Sequence, residues 1–356
     1  MSEVRAKKAL GQHFLVDLNI ARKICDALSG GVRPEAGAET RAVAAGSADA
    51  DAETRTRVAG YAGAGAEART MAAGSADAGA EARTKATGTA DADAETRRGV
   101  AASADARLAA DTTAAGAPAA AEEERSGAVP CDVLEVGCGM GVLTQFLLRR
   151  GDITTYGAEI DPESVEYLHA HFPEFAPRLI EGDFLKMNLR ERFPRGLKII
   201  GNFPYNISSQ IFFKVLEHRD LVPECVGMIQ KEVAVRIAEP PGSKEYGILS
   251  VLLQAWYDIE YLFTVNETVF NPPPKVKSAV IRLRRNSVGR LGCDEALFVK
   301  VVKASFGQRR KMIRNSLRAV FGDFGGAEHP FFTQRAEQLS VADFVQLTNW
   351  VAANRK

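Results

Sequence analysis

Apolar residues between positions 131 and 217 recur in short runs, and each run ends in glycine or in an acidic or amide side chain. Buried strands are predicted at Val133–Val136, in "ITTYGAEID", in a short stretch of "RLIEGDFLKM" and in "LKIIGN". Helical patterns follow the first of these strands and the last, in "VLTQFLLRRG" and "QIFFKVLEH". Strands that alternate with helices are typical of a mainly parallel sheet, so we predict an α/β fold that opens with a nucleotide-binding βαβ unit.

This pattern breaks between residues 33 and 128, where the chain is mostly Ala, Gly, Asp, Glu, Thr and Arg. The segment has one aromatic residue, Tyr61, and no Ile, Phe or Trp, and four copies of a 14-residue repeat fill residues 45–100, each with an E-x-R. Such a composition cannot offset the entropy of ordering the chain. We predict a low-complexity, disordered insertion in a surface loop; a repeat that binds a partner is the alternative.

Charge is unevenly divided between the insertion and the rest of the chain. The 356 residues carry 45 basic and 45 acidic side chains, but residues 31–128 hold 11 basic and 16 acidic ones and are net −5, so the remainder is net +5. The five cysteines include no C-x-x-C pair, and His169 and His171 point to different faces of a helix, so no metal site is predicted. With neither an apolar membrane span nor a signal peptide, we expect a cytoplasmic protein.

Three features at successive strand ends predict an adenosine pocket. The turn Gly137-x-Gly139-x-Gly141 lets the backbone approach a ligand, and Glu159 ends the second strand, where it can accept hydrogen bonds from both ribose hydroxyls. Asp183 follows the third strand and is placed to accept from an adenine amino group. The turn lacks the G-x-G-x-x-G spacing of a pyrophosphate site, so S-adenosylmethionine fits this pattern better than NAD.

The stretch "GNFPYNISS", residues 201–209, lies where the fourth strand gives way to a helix. The Asn202 side-chain oxygen and the Pro204 carbonyl could accept the two N–H groups of an exocyclic amine such as adenine N6, and favour a pyramidal nitrogen aimed at a methyl donor. Tyr205 would stack on a base that has left its helix. A structural turn, with Asn as a helix cap and Pro as a stiffener, is the alternative.

Seven segments, in this order, resemble the ribosomal RNA adenine dimethyltransferases of the small subunit, the family that confers kasugamycin sensitivity. They are "KKALGQHFL", "LEVGCGMGVLT", "AEID", "GDFL", "GNFPYNISS", "VFNPPPKVKSAVIRL" and "FGQRRKMIRNSL". The resemblance implies a Rossmann-like class I methyltransferase domain (1–32 and 129–285), interrupted by the insertion (33–128), and a small C-terminal helical domain that binds RNA (286–356). It also implies dimethylation of N6 on two adjacent adenosines in the 3′-terminal hairpin of small-subunit rRNA, on the assembling 30S subunit. Nothing in the sequence suggests more than a monomer.

The resemblance also assigns site residues. It places cofactor contacts on His13, Leu15, Gly137, Glu159, Asp183 and Asn202, beside the backbone of Gly139. Many family members carry Asn where His13 stands, and Leu is more usual than Phe203. Phe270 matches an aromatic residue that closes on the flipped base opposite Tyr205; a core Phe before a proline turn is the alternative.

Basic residues cluster between Lys275 and Arg318, where 13 Lys and Arg stand against only Asp294 and Glu295. A solvated helix face would carry both acidic and basic side chains, so a cluster of almost only basic side chains predicts contacts with phosphates. We expect "QRRKMIR" to open a helix there. The predicted RNA-binding residues are Lys275, Lys277, Arg309, Arg310, Lys311 and Arg314.

Three rival functions stay distinguishable. The large-subunit rRNA adenine methyltransferases of macrolide resistance share the glycine turn and the Asn-x-Pro-Tyr type of motif, but "PPPKVKS" and "FGQRRKMIRNSL" favour the small-subunit enzymes. A non-enzymatic RNA-binding factor on the same fold would not need an intact cofactor pocket. An NAD-dependent oxidoreductase would need a pyrophosphate turn and an acid/base pair, which the sequence does not offer.

Overall fold

The structure, a computed structural model, describes residues 7, 10–30 and 130–355. The predicted insertion at 33–128 and its repeat lie outside the described residues. The described residues all belong to one compact unit. The domain boundaries predicted at 32, 129 and 285 stay predictions.

Seven strands form one sheet: β2 (Cys131–Val136), β3 (Ile153–Glu159), β4 (Leu179–Glu181), β5 (Lys198–Asn202), β6 (Glu224–Gln230), β7 (Tyr257–Val265) and β9 (Ser278–Arg285). Their order in the sheet is β4-β3-β2-β5-β6-β9-β7. Neighbouring strands from β4 to β6 are parallel, and β9 and then β7 complete the sheet antiparallel to their neighbours. Two short strands, β1 (Phe14–Leu15) and β8 (Phe270–Asn271), form a separate antiparallel ladder.

Ten α-helices accompany these strands among the described residues. They are α1 (Leu18–Ala27), α2 (Thr144–Leu147), α3 (Pro162–His171), α4 (Leu189–Arg192), α5 (Ser208–Glu217), α6 (Lys231–Ala238), α7 (Ile248–Gln254), α8 (Glu295–Gly307), α9 (Ile313–Phe321) and α10 (Val341–Asn354). The helix after the glycine turn, α2, is shorter than its sequence pattern predicts. No helix in the described part of the chain has the length and apolarity needed to cross a membrane.

The central strands are apolar because both of their faces are covered. Successive side chains of a strand point to opposite faces, so Val133 and Ile200 pack with α1, whereas Leu134 and Ile199 pack into the larger cluster on the other face. All six residues of β2 are buried. Burying an aliphatic side chain of this size contributes about 1.5–3 kcal/mol, so the centre of the sheet is a rigid base for its strand ends.

Helix α1 fastens the N-terminal segment to this sheet. The Asp17 side chain caps the helix by accepting from the backbone N–H groups of Asn19 and Ile20, at 2.8 and 3.1 Å. The buried residues of this segment recur with helical spacing: Ala21, Ile24, Cys25 and Leu28. This packing carries residues 10–15 to the opposite end of the sheet from residues 29 and 30.

Helices α8, α9 and α10 follow the last strand. Their buried residues, among them Phe298 and Phe344, share one apolar cluster with Leu252 and Leu253 of α7. The helical character predicted for residues 286–356 is therefore present, and it packs on the sheet-bearing part of the molecule through α7.

Candidate active site

Most of the predicted cofactor residues meet at the carboxyl edge of the parallel strands. Glu159 and Asn202 are the last residues of β3 and β5, Gly137 directly follows β2, and Asp183 follows β4 by two residues. Carboxyl ends of parallel strands share one edge of a sheet, and ligands of α/β folds bind there. A cleft of about 190 Å³ opens at this edge and is lined by all four residues.

The glycine turn is built on left-handed backbone. Gly137 and Gly139 have φ of +77° and +53°, a region that side chains with a Cβ rarely adopt. The Gly137 N–H donates to the Ala158 carbonyl at 2.9 Å, and the Gly139 N–H donates to Glu159 Oε2 at 2.8 Å. A Cβ on Gly139 would also stand 3.2 Å from the Phe14 ring. The turn therefore brings bare backbone to the cleft and ties it to the predicted ribose acid.

The Glu159 carboxylate is 4% exposed and is held by three backbone N–H groups. Oε1 accepts from Ile160 and Asp161, both at 2.9 Å, and Oε2 accepts from Gly139. Burial raises the pKa of this carboxyl, and the three backbone bonds oppose the rise. A carboxylate offers about four lone-pair positions, so one remains for a ligand hydroxyl, and not the two needed for the predicted bonds from both ribose hydroxyls.

Asp183 lines the same cleft, where it follows β4, the strand next to β3. Its Oδ1 accepts from the Leu185 N–H at 2.9 Å and caps a short 3₁₀ turn. The Lys186 Nζ lies 4.0 Å from Oδ2, and the Asp183 side chain is partly exposed. Its carboxylate is thus fixed in direction and can still accept a bond from a ligand.

The Asn202 amide is oriented by the backbone of the N-terminal segment. Its Nδ2 donates to the His13 carbonyl at 3.0 Å, which directs Oδ1, the acceptor end, away from that bond. The Pro204 carbonyl accepts the Ile207 N–H at 3.2 Å and keeps a second lone pair. Both residues line the cleft, so the two acceptors predicted for an exocyclic amine, two residues apart in the chain, belong to the same cavity.

Tyr205 is held at its hydroxyl and on one face of its ring. Its hydroxyl lies 2.6 Å from Ser278 Oγ, and the His13 ring stacks on it with centroids 5.3 Å apart and planes 29° from parallel. The His13 Nδ1 in turn contacts the Pro272 carbonyl at 2.9 Å. Burial raises the pKa of the Tyr205 phenol despite the Ser278 bond, so the ring stays neutral. A fixed aromatic face therefore stands next to Asn202.

Leu15 and Phe270 do not line this cleft. They pair with each other in the β1–β8 ladder and are 2% and 3% exposed, packed in the core with α1. The neighbouring Phe14 lines the cleft instead. The structure therefore brings together eight of the ten predicted catalytic and cofactor residues: His13, Gly137, Gly139, Glu159, Asp183, Asn202, Pro204 and Tyr205.

The predicted RNA-binding residues lie on two segments. Lys275 and Lys277 are exposed in the loop just before Ser278, which anchors Tyr205. The "QRRK" residues form a turn rather than the start of a helix, because the Lys311 N–H bonds back to the Gln308 carbonyl at 2.7 Å and α9 begins only at Ile313. The sequence-based prediction that this motif opens the helix is therefore wrong by a few residues.

Two of these basic residues already have partners in the structure. The Arg309 guanidinium donates to the Lys244 carbonyl, and Arg314 pairs with Glu328. Arg310 and Lys311 are exposed. These two side chains are the most accessible basic groups of the turn.

Sequence reasoning missed the polar residues that hold the N-terminal segment. Asp161 is buried at the start of α3 and binds Lys7 and Gln12, and Ser278 holds the Tyr205 hydroxyl. The available signal was position: Asp161 precedes the Pro at the start of α3 and follows the ribose acid by two residues. Among the described residues, no group of three or more His, Cys, Asp or Glu is arranged to hold a metal ion.

A family model described as ribosomal RNA adenine dimethylase matches residues 130–353. The chain belongs to this family. It is 61% identical over 218 residues to the ribosomal RNA small subunit methyltransferase A of Parabacteroides distasonis, a match that covers 61% of this chain and 81% of that protein. It is 57% identical over 221 residues to the protein of that name from Cytophaga hutchinsonii, which covers 62% and 86% of the two chains.

A solved structure agrees with this assignment. The dimethyladenosine transferase from Plasmodium falciparum is 26% identical, covers 63% of this chain and 90% of its own, and superposes with a TM-score of 0.53. The predicted family resemblance and the predicted α/β methyltransferase fold are confirmed. The enzyme class, an rRNA adenine dimethyltransferase that uses S-adenosylmethionine, is confirmed with them.

Proposed function

We propose that this dimethyltransferase uses S-adenosylmethionine to dimethylate N6 of two adjacent adenosines in the 3′-terminal hairpin of small-subunit rRNA. The observation that carries the proposal is the Asn202 amide, oriented by the His13 carbonyl at the mouth of a cleft that also holds Glu159 and Asp183. The enzyme would act in the cytoplasm as a monomer on the assembling 30S subunit.

The residues present fit this cofactor. Glu159 has one lone pair left for a ribose hydroxyl, Asp183 can accept from an adenine amino group, and the bare backbone of Gly137 and Gly139 lines the same cleft. The described residues that line the cleft include no Lys or Arg to neutralise a phosphate. When bound, S-adenosylmethionine supplies a methyl group on a positively charged sulfur.

Asn202 and Pro204 prepare the target nitrogen. The lone pair of an adenine amino group is delocalised into the ring, which makes the group a poor nucleophile. If Asn202 Oδ1 and the Pro204 carbonyl each accept one N–H, the nitrogen is held out of the ring plane and its lone pair is directed into the cleft. The acceptors are preorganised by their bonds to His13 and Ile207, so little reorganisation accompanies the reaction.

Tyr205 provides the surface on which the flipped adenine stacks. His13 covers one face of the ring, so the base would use the other. Phe270 stays a predicted base contact; because it is buried in the β1–β8 ladder, it would reach the base only after that ladder moved. Leu15 is buried in the same way and would support the cofactor only through the backbone of its segment.

The experiment that tests the reaction is methyl transfer from tritium-labelled S-adenosylmethionine to under-methylated small ribosomal subunits, followed by nucleoside analysis. We expect dimethyladenosine in small-subunit RNA, none in large-subunit RNA, and loss of label in Asn202→Ala. Asn19→Ala, which removes an exposed amide on α1, is the matched control. Label in large-subunit RNA would move the chain to the resistance methyltransferases, and cofactor binding without label would favour a non-enzymatic factor.

We also propose that Lys275, Lys277, Arg309, Arg310, Lys311 and Arg314 bind the rRNA backbone. The proposal is supported by the clustering of basic side chains on two segments. One of these segments directly precedes Ser278, which contacts Tyr205. Each phosphate contact adds about 0.7–0.9 to the slope of log affinity against log salt concentration. Replacing Arg309, Arg310 and Lys311 with Ala should therefore weaken hairpin binding and flatten this slope by about 2.

A matched triple variant distinguishes the effect of this surface on RNA binding from a general effect of losing three positive charges. Lys23, Arg192 and Arg195 are exposed basic residues elsewhere on the molecule, and the latter two precede β5 at the amino edge of the sheet. Their replacement with Ala should leave the slope close to that of the unchanged protein. Equal slopes in both triple variants would refute the proposed RNA contacts.

A further inference from the structure

The N-terminal strap, defined as Lys7 together with residues 10–15, runs along the opening of the cleft. Residues 10–14 line the cleft directly. The strap packs closely on residues 203–207, the loop between β5 and α5 that we call the catalytic loop. A Cβ on Gly11 would stand 2.5 Å from Asn206 Oδ1, and Gly11 has a φ of +64°. Its far end is β1, which pairs with β8. The strap therefore spans from the ribose side of the cleft to the Asn202 side.

A cluster of polar contacts fastens the first part of the strap to the start of α3. The Asp161 side chain is fully buried, and its Oδ1 binds the Lys7 ammonium. The same ammonium lies 3.0 Å from Glu163 Oε1, and Gln12 Nε2 lies 3.5 Å from Asp161 Oδ2. Ser164 Oγ donates to the same oxygen at 2.9 Å. Among the described residues, the partners of the Asp161 side chain other than Ser164 all belong to the strap.

The contacts within the strap make it a single unit at this end. The Lys7 backbone N–H donates to Gln12 Oε1 at 2.8 Å, and the Leu10 N–H donates to the Lys7 carbonyl at 3.0 Å. Lys7 and Gln12 thus hold each other in place while both reach Asp161. The bonds from Lys7, Ser164 and Gln12 outweigh burial and keep the pKa of the Asp161 carboxyl below its ordinary value. Asp161 is therefore a carboxylate that depends on the strap for its counter-charge.

Asp161 and the strap each touch a residue of the proposed reaction. The Asp161 backbone N–H donates to Glu159 Oε1 at 2.9 Å, and the His13 carbonyl accepts from Asn202 Nδ2 at 3.0 Å. The strap, through its bonds to Asp161, thus joins the ribose acid Glu159 to the catalytic amide Asn202. Because a buried charge is costly without its partner, the closed strap is favoured as long as the Lys7–Asp161 pair is intact.

We propose that Lys7, Gln12 and Asp161 form an electrostatic latch that holds the N-terminal strap closed over bound S-adenosylmethionine and sets how slowly the cofactor leaves. The proposal rests on the proposed cofactor site and adds three positioning residues to it. The latch closes one wall of the cleft and makes no bond to the reacting atoms. Its loss should therefore change cofactor affinity much more than turnover at saturating cofactor.

The test compares Lys7→Met, which keeps the apolar stem, with Lys7→Arg, which restores the charge. Cofactor affinity is measured by calorimetry and the dissociation rate by stopped-flow displacement, with S-adenosylmethionine as the probe. We expect Lys7→Met to bind about tenfold more weakly, mainly through faster dissociation, and Lys7→Arg to bind within about twofold of the unchanged protein. Lys23→Met, an exposed lysine on α1, should have no effect.

Three further readouts distinguish a latch from a general loss of stability. Affinity of the unchanged protein should fall as potassium chloride rises from about 0.05 to 0.5 M, because screening weakens a partly exposed ion pair, and Lys7→Met should lose most of this dependence. Hydrogen exchange at the amides of residues 11–15 should be faster in Lys7→Met. The KM for RNA and the kcat at saturating cofactor should stay within about twofold.

The failure of the latch and the failure of the proposed function give different results. If the unchanged protein binds S-adenosylmethionine and Lys7→Met binds it with the same affinity and dissociation rate, the latch is wrong and the cofactor site stands. If the unchanged protein does not bind S-adenosylmethionine, the proposed function fails first. Asp161→Asn should reproduce Lys7→Met, and because Lys7 is partly exposed, its variants keep the test valid even where Asp161→Asn does not fold.

Discussion

Glu135, the next-to-last residue of β2, is a buried acid outside the proposed reaction. Its Oε2 accepts from Thr144 Oγ1 at 2.6 Å. Burial raises the pKa of this carboxyl to about 8, the nearby Glu159 adds to the rise, and the Thr144 bond opposes it. Unfolded Glu loses its proton near its ordinary value, so between about pH 4.5 and 8 the folded state binds more protons than the unfolded state.

It follows that Glu135 stabilises the fold at low pH and that this contribution is lost as pH rises towards 8. We expect the free energy of unfolding of the unchanged protein, relative to Glu135→Gln, to fall by a few kcal/mol between about pH 5 and pH 8, since each unit of pKa shift corresponds to about 1.4 kcal/mol. Urea unfolding followed by circular dichroism at several pH values measures the difference.

Comparing the unchanged protein with Glu135→Gln cancels the contribution that other titrating groups near Glu135 make to the pH dependence of stability. Burial also raises the pKa of the thiols of Cys25 and Cys138, which lie close to Glu135, and both remain in the variant. Glu166→Gln, an exposed change on α3, serves as the control. Parallel pH profiles for the unchanged protein and Glu135→Gln would show that Glu135 is ionised in the folded state.

Single residues of the site were predictable where strand order decides their position. Glu159 ends β3 and Asn202 ends β5, the strands on either side of β2 in the parallel part of the sheet. That they lie near each other therefore follows from the strand pattern. Leu15 and Phe270 were assigned by resemblance, which says nothing about the side to which a side chain points. In the β1–β8 ladder these two pair and point into the core, while Phe14 takes the cleft side.

At the scale of elements, the contact between β5 and β6 controls the position of the catalytic loop. Phe203, the residue after Asn202, is 1% exposed and packs edge-on against Phe212, with centroids 5.8 Å apart. A Cβ on Gly227 of β6 would stand 2.5 Å from the Phe203 ring. The glycine is therefore required by the ring that supports the loop.

We predict that Gly227→Ala destabilises the protein by about 1–3 kcal/mol and lowers methyl transfer, because the displaced ring carries Asn202 with it. Adding Phe203→Leu, a smaller side chain at the contact, should recover about 1 kcal/mol or more of the loss. Thermal unfolding and methyl transfer of the two single variants and the double variant measure this coupling.

Gly151→Ala is the matched control, because a Cβ there meets no atom within 4 Å. It should change stability by less than about 0.5 kcal/mol. Additive effects of Gly227→Ala and Phe203→Leu would mean that the sheet adjusts elsewhere and that the ring does not transmit the strain to the loop.

Elements with a strong local pattern were the ones that the sequence predicts well. The four predicted strands are present as β2, β3, β4 and β5, and "QIFFKVLEH" lies in α5 except for its last residue, the C-cap His218. Helix α2 begins only at Thr144 because the residues before it form the turn that carries the Gly139 N–H to Glu159. Local pattern cannot reveal such a demand, since it arises from a residue 20 positions away.

For the whole molecule, the two edges of the sheet have separate tasks. The cofactor cleft occupies the carboxyl edge, whereas the residues that flank the undescribed segment 31–129 lie at the amino edge. There Lys198, the first residue of β5, donates to the carbonyls of Ser29 and Gly30 at 2.8 and 3.3 Å and pairs with Glu224 at 3.0 Å. The other flank enters β2 directly at Cys131.

Sequence composition predicts an insertion at residues 33–128, and the family match begins at residue 130. It could not predict on which edge the chain departs, because that follows from the packing of α1 against the sheet. A six-residue strand such as β2 is about 20 Å long, so residues 30 and 130 are separated from the cleft by about the length of a strand.

We therefore predict that deleting residues 37–124 leaves methyl transfer within about twofold and the melting temperature within a few degrees. Residues 31–36 and 125–129 remain after the deletion, and these eleven residues can span up to about 36 Å between Gly30 and Pro130. Methyl transfer to small subunits and thermal unfolding of the deleted chain provide the measurement. Loop length costs little stability, so no large change is expected from closing a shorter connection.

A chain in which residues 37–124 are scrambled at constant composition is the control, since it keeps length and charge but removes the 14-residue repeat. Both chains should match the unchanged protein. A large loss of activity in the deletion alone would mean that the amino edge needs a long connection, whereas a loss in both would assign a function to the repeat itself. Either outcome contradicts the prediction that the insertion is tolerated because it departs from the edge opposite the cleft.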